Sequence, residues 1–147
     1  MLPPRPDGTL PPGIHETDWD EFVVQFGGGP QRESLIDGLY RAAVSLRDAG
    51  SEILYIGGSL VTTAEHPRDF DGCWDPVGVD PDKLDPILLD FTDGRLTQKL
   101  KYGGELFPSS ARAELKPPFR SFLEFFQSDK TTESPKGVVA IDLRRLP

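Results

Sequence analysis

Apolar residues recur with a helical period over two early stretches of the chain. In DWDEFVVQF, Trp19, Phe22, Val23 and Phe26 fall at i, i+3, i+4 and i+7. This predicts a short amphipathic helix with Thr17 as N-cap and acids in its first turn, ended by GGGP (Gly27 to Pro30). QRESLIDGLYRAAVSLRDAG sets Leu35, Ile36, Leu39, Tyr40, Ala43 and Leu46 on one stripe and stops at Gly50, which predicts a longer helix. The period then changes. EILYIGG is short, apolar and closed by glycine, as a buried strand is. DFDGCWD alternates, with Asp69, Asp71, Cys73 and Asp75 on one face and Phe70 and Trp74 on the other. GVVAIDL is rich in β-branched residues and predicts a third strand. Its alternation separates Val138, Ala140 and Asp142 from Val139, Ile141 and Leu143.

Weaker patterns fill the remainder. DPDKLDPILLD predicts one or two helical turns with Leu84, Ile87 and Leu88 inward, and GRLTQKLKYGG a helix up to Gly103-Gly104. SFLEFFQ suits a helix, because Ser121 and Glu124 form a capping-box pattern. ELFPSSARAELKPPFR reads as an irregular loop. Five prolines within residues 1–13 predict an extended N-terminal arm over residues 1–16. The expected architecture is α/β (α+β): one domain over residues 17–147, with a mixed sheet flanked by helices.

Composition narrows the function classes. A chain of 147 residues holds one ordinary core. A net charge of −8 opposes sequence-independent binding of duplex DNA. The charge is uneven, however. From Arg95 to Arg120 six cations face only Glu105 and Glu114, a local balance of +4 that suits a phosphate-rich ligand or a solvated surface. The one cysteine, Cys73, excludes an internal disulfide and a cysteine-based zinc site. No apolar run approaches the length of a membrane span or a signal peptide, so a cytoplasmic protein without membrane association is expected.

Candidate chemistry lies in YIGGSLVTTAEHPRDFDGCWD. Gly57 and Gly58 remove side chains where a strand turns, which lets backbone N–H groups approach a ligand, and Ser59 adds a hydroxyl. A short helix after the turn would add its positive end. Such a turn can hold the terminal phosphates of a nucleoside triphosphate; a plain turn is the alternative. Asp69 and Asp71, at i and i+2, point the same way, and two close carboxylates are costly unless a cation lies between them. Mg²⁺ (or Mn²⁺), with its preference for oxygen ligands, suits them. A third carboxylate would complete a two-metal site, and Asp142 in its apolar strand is the candidate. The alternative for Asp142 is the exposed face of an edge strand.

The order of these parts resembles the nucleotidyltransferase superfamily typified by DNA polymerase β, and in particular the minimal nucleotidyltransferases of bacterial toxin–antitoxin pairs. Nine residues separate Ser59 from Asp69, close to the ten most common in the minimal group. LPPGIHETDWDEF, GGSLVT, PRDFDGCWDP, QKLKYGGELFP, FLEFFQ and KGVVAIDL also resemble an uncharacterised bacterial family of nucleotidyltransferase-like proteins, from about Leu10 to Leu143. The resemblance implies that Gly57, Gly58 and Ser59 contact the triphosphate. It also implies that Asp69, Asp71 and Asp142 hold Mg²⁺, and that Lys99 and Lys101 neutralise phosphates. The implied activity transfers NMP from an NTP to a hydroxyl of a cognate toxin or antitoxin protein, or of a tRNA 3′ end. The alternative is a catalytically silent nucleotidyltransferase fold that neutralises a partner by contact.

Overall fold

The structure, a computed structural model, describes residues 5–129 and 132–147. Five strands form one mixed sheet: β1 (Gly13–Thr17), β2 (Ile53–Gly57), β3 (Phe70–Trp74), β4 (Gly104–Pro108) and β5 (Gly137–Asp142). Their spatial order is β1-β5-β2-β3-β4. β2 runs antiparallel to both of its neighbours, while the outer pairs β1/β5 and β3/β4 are parallel. Helices α1 (Trp19–Phe26), α2 (Pro30–Ala49), α3 (Leu96–Tyr102) and α4 (Phe122–Phe126) complete the mixed α/β domain.

Alternation assigns the two faces of the sheet. Leu54, Ile56, Phe70, Trp74, Leu106, Val139 and Ile141 point to the main core, where they meet the stripes of α1 and α2 and Tyr102 of α3. Cys73, Phe107 and Val138 point to the other face, where Phe126 and the partly buried Phe122, Leu123 and Phe125 cover them. α4 therefore sits alone opposite the other helices. It is held by the capping box expected from Ser121 and Glu124.

Three expectations need correction. The N-cap of α1 is Asp18, whose carboxylate accepts the Glu21 N–H at 2.9 Å; Thr17 is the last residue of β1. ELFP, placed in an irregular loop, forms strand β4 together with Gly104, parallel to β3. Residues 13–16, placed in the arm, belong to the sheet as β1. Of that arm, residues 1–4 lie outside the described residues, but the part from Arg5 onward is anchored. Leu10 is fully buried in the main core, and its carbonyl accepts the Gly137 N–H at 3.1 Å.

Leu10 thus contributes a core side chain from a segment that looks like a tail. Leu10→Ala is expected to lower unfolding stability by about 2–5 kcal/mol, read as a shift of the urea midpoint. A loss below about 0.5 kcal/mol, typical of surface positions, would show that the segment is peripheral.

Candidate functional site

β2 ends at Gly57, directly opposite Asp71 of β3. The chain then turns through Gly58 at φ 73° and ψ −165°, a conformation that L-residues avoid. A Cβ on Gly58 would lie 2.8 Å from an Asp71 carboxylate oxygen, so the bare backbone of the turn rests against that carboxylate. Gly57 has a different reason to lack a side chain. A Cβ there would lie 3.3 Å from the Cβ of Phe126, because α4 closes over this part of the sheet. Ser59, half-buried, opens a 3₁₀ turn over Ser59–Val61. That turn is too short to supply the field of the helix expected after Gly-Gly-Ser.

What holds the turn in place is Arg32, near the start of α2. Its guanidinium donates to the carbonyls of Phe26 at 3.0 Å, Leu60 at 2.8 Å, Thr62 at 2.9 Å and Ala64 at 2.5 Å. The fork of one arginine ties the end of α1 to the loop after Ser59, and its burial depresses its pKa. Sequence reasoning missed this residue, although Arg32 precedes Leu35, Ile36 and Leu39 at i+3, i+4 and i+7 of the buried stripe. A cation on that stripe was the available signal.

Asp69 lies one residue before β3, and both it and Asp71 are half-buried. Asp142 is not brought to them. Gly57 faces Asp71 and Ile53 faces Asp142, so the two aspartates are offset by four residues along β2 and lie on opposite sides of it. At about 3.3 Å per residue and 4.8 Å per strand, their Cα atoms are on the order of 16 Å apart. Asp142 shares the face of Asp71 but stands at the far end of the sheet. There it lines a cavity of about 330 Å³ with Glu16, Asp18 and Arg145. Hydrogen bonds from Arg144 occupy its carboxylate and hold its pKa below the ordinary range.

The carboxylate beside Asp71 is Glu105, which sequence reasoning missed. β4 pairs Glu105 directly with Asp71, and paired positions share a face. Glu105 is already engaged: Arg95 Nε lies 2.7 Å and Lys99 Nζ 3.8 Å from its Oε2, with only 13% of its side chain exposed. Lys99 therefore stands beside Glu105, the neighbour of Asp71 across the β3/β4 pair. Lys101 does not, because its ammonium lies 2.6 Å from Asp85, which also accepts from the Tyr102 hydroxyl. Among the described residues, no group of three or more His, Cys, Asp and Glu side chains is disposed to hold a metal ion. The expected triad of Asp69, Asp71 and Asp142 is thus not assembled. The pair Asp69 and Asp71 still fits Mg²⁺ chemically, since one or two carboxylates suffice when phosphate oxygens and water complete its octahedron.

Cys73, two residues beyond Asp71, is fully buried, and burial pushes its thiol up to about 12. It is a core residue and no nucleophile. The folded protein is expected to remain inert to a thiol-reactive dye at pH 8 and to react once unfolded in urea; rapid reaction of the native protein would overturn this assignment. Gly58→Ala forces a Cβ into both a left-handed backbone and the Asp71 carboxylate. A loss on the order of 1–3 kcal/mol is expected in thermal or urea unfolding, whereas unchanged stability would mean that the turn can take another path.

Among the described residues no helix is long and apolar enough to cross a membrane. Nothing among curated proteins or solved structures matches the chain. A model of a protein family of unknown function, DUF6932, matches residues 3–142, a span that takes in all five strands, the Gly-Gly-Ser turn and both aspartates. The chain belongs to the DUF6932 family.

Proposed function

We propose that the protein is a Mg²⁺- or Mn²⁺-dependent nucleotidyltransferase that moves NMP from an NTP to a hydroxyl of a protein or an RNA. The observation that carries this reading is the contact between the Gly58 backbone and the Asp71 carboxylate. It joins the two halves of the expected site, a phosphate-holding turn and an acidic pair. In this reading Gly57, Gly58 and Ser59 cradle the terminal phosphates, and Asp69 and Asp71 bind the metal. Glu105, paired with Arg95 and Lys99, borders the acidic pair where sequence reasoning had expected Asp142. The bound metal would neutralise the phosphate oxygens. The acceptor oxygen attacks the α-phosphorus in line, the bond to the bridging oxygen breaks, pyrophosphate leaves, and the acceptor proton passes to a neighbouring carboxylate or water.

The acidic surface favours a cognate protein as acceptor, in a toxin–antitoxin or phage-defence pair; the cationic stretch from Arg95 to Arg120 is compatible with a tRNA 3′ end. A single, buried cysteine suits the reducing cytoplasm. One observation favours a second reading, a catalytically silent fold that acts by binding a partner. Glu105 is neutralised by Arg95 and Lys99 rather than facing Asp71 as an available ligand.

Labelling separates the two. The protein is incubated with Mg²⁺, a bacterial lysate and each NTP radiolabelled at the α-phosphate. Label is expected on one protein or RNA species. It should fall on the order of a hundredfold in Asp69→Asn/Asp71→Asn, fall in Glu105→Gln, and persist in Asp142→Asn. No label with any NTP from correctly folded protein would sink the transferase and favour the binding module.

A further inference from the structure

On the face of the sheet that carries Asp71, three phenylalanines stack in a column beside the acidic pair. Glu105 of β4 stands opposite Asp71, and Phe107 lies two residues further along the same strand, hence on the same face. Strand geometry puts the Cα atoms of Asp71 and Phe107 on the order of 8 Å apart. The rings of Phe107 and Phe122 are nearly parallel, 4.0 Å between centroids and 4° apart, and Phe91 lies 5.5 Å from Phe107 at 18°. Phe107 is buried in the cluster under α4. Phe91 lies outside that cluster and is 40% exposed, so the column ends in a ring that meets solvent.

Burial does not explain where Phe91 stands. Its backbone is held by its neighbours: the Asp90 carboxylate accepts from the Thr92 N–H at 3.1 Å, the Thr92 hydroxyl at 2.6 Å and the Thr97 hydroxyl at 2.9 Å. The buried Gln98 ties this segment to the sheet edge. It donates to the Asp90 carbonyl at 3.4 Å and accepts the Leu106 N–H of β4 at 2.8 Å. Arg95 then connects the column to the acids, with its Nε 2.7 Å from Glu105 and its guanidinium carbon 5.8 Å from the centroid of Phe107. A flat apolar ring is thus fixed in advance, uncovered on one part, next to the turn and the aspartates. Every nucleobase has a π-face that stacks on such a ring.

We propose that Phe91 is the platform for the base of the NTP and makes the site selective for purine nucleotides. The inference rests on the reading of the Gly58 turn and the Asp69–Asp71 pair as an NTP site. The phosphates then lie at the turn and the aspartates, the ribose passes Glu105 and Arg95, and the base covers the open part of the Phe91 ring. Selectivity follows from area, because the two fused rings of a purine remove more apolar surface from water than the single ring of a pyrimidine. A stacking face reads no hydrogen-bonding edge, so adenine and guanine should bind alike.

Calorimetric titration of the whole protein with ATP, GTP, CTP, UTP and inorganic tripolyphosphate, each with Mg²⁺, tests this. The wild type is expected to bind ATP and GTP several-fold more tightly than CTP and UTP, and tripolyphosphate more weakly than ATP. Phe91→Ala should weaken ATP and GTP about tenfold or more while leaving tripolyphosphate unchanged, which also shows that the site stays folded. Phe91→Trp should keep ATP binding, and ATP should quench the added indole relative to the same titration of the wild type. ATP binding that Phe91→Ala leaves unchanged overturns the platform and leaves the NTP site standing. An equal loss for tripolyphosphate makes Phe91 a structural residue and overturns the platform too, and equal affinity for purines and pyrimidines overturns the selectivity. Folded wild type that binds neither NTPs nor tripolyphosphate sinks the NTP site itself, and the platform with it.

Discussion

The register of β2 is the constraint from which most of the molecule follows. This central strand is hydrogen-bonded along both edges, antiparallel on each side, so it fixes where β3 and β5 stand along the sheet. With Gly57 opposite Asp71, the Gly-Gly-Ser turn meets the acidic strand at one end. With Ile53 opposite Asp142, the third aspartate is carried to the other. A register slip of one residue would turn Phe70 and Trp74 out of the main core. The position of the candidate site is therefore paid for by the same apolar burial that stabilises the fold.

Around that register, charges are held by different means. Arg32 is buried against four carbonyls and has no carboxylate among these partners. Five donors in a planar fork make arginine suitable for this, since each carbonyl needs one N–H and the fork supplies them in fixed directions. Glu105 is treated in the opposite way, with a guanidinium and an ammonium drawn to a carboxylate that is mostly covered. Near the turn, the protein fixes backbone with a cation. Near the acidic strand, it balances charge against charge.

How much of this could be read beforehand depends on which level fixes each feature. Helices α1 to α4 were legible because apolar spacing or capping residues set them locally, and β2, β3 and β5 because they are apolar or alternate cleanly. β1 was hidden: GIHET follows a pair of prolines and lies at a sheet edge, where its first four positions alternate only between intermediate and exposed and its one buried residue is the polar Thr17. β4 was hidden too, since GELFP begins with glycine and ends with proline. Missing β4 meant missing Glu105. Asp142 was read on the correct strand and the correct face. Parity along a strand says which way a side chain points, but only pairing register says how far along the sheet it stands, and register is a long-range property.

The pairing of β1 with β5 has a consequence for the order in which the chain can fold. Gly13 pairs with Gly137, so one parallel edge of the sheet joins residues near opposite ends of the described chain. Such a contact closes a very long loop, and its entropic cost must be met before the contact contributes stability. During synthesis, Leu10 and Ile14 leave the ribosome long before their partners on β5 exist. The helical hairpin of α1 and α2 and the β2–β3 ribbon can form first. The N-terminal segment then waits as an unpaired strand, and the last strand to be made is the one that locks the first.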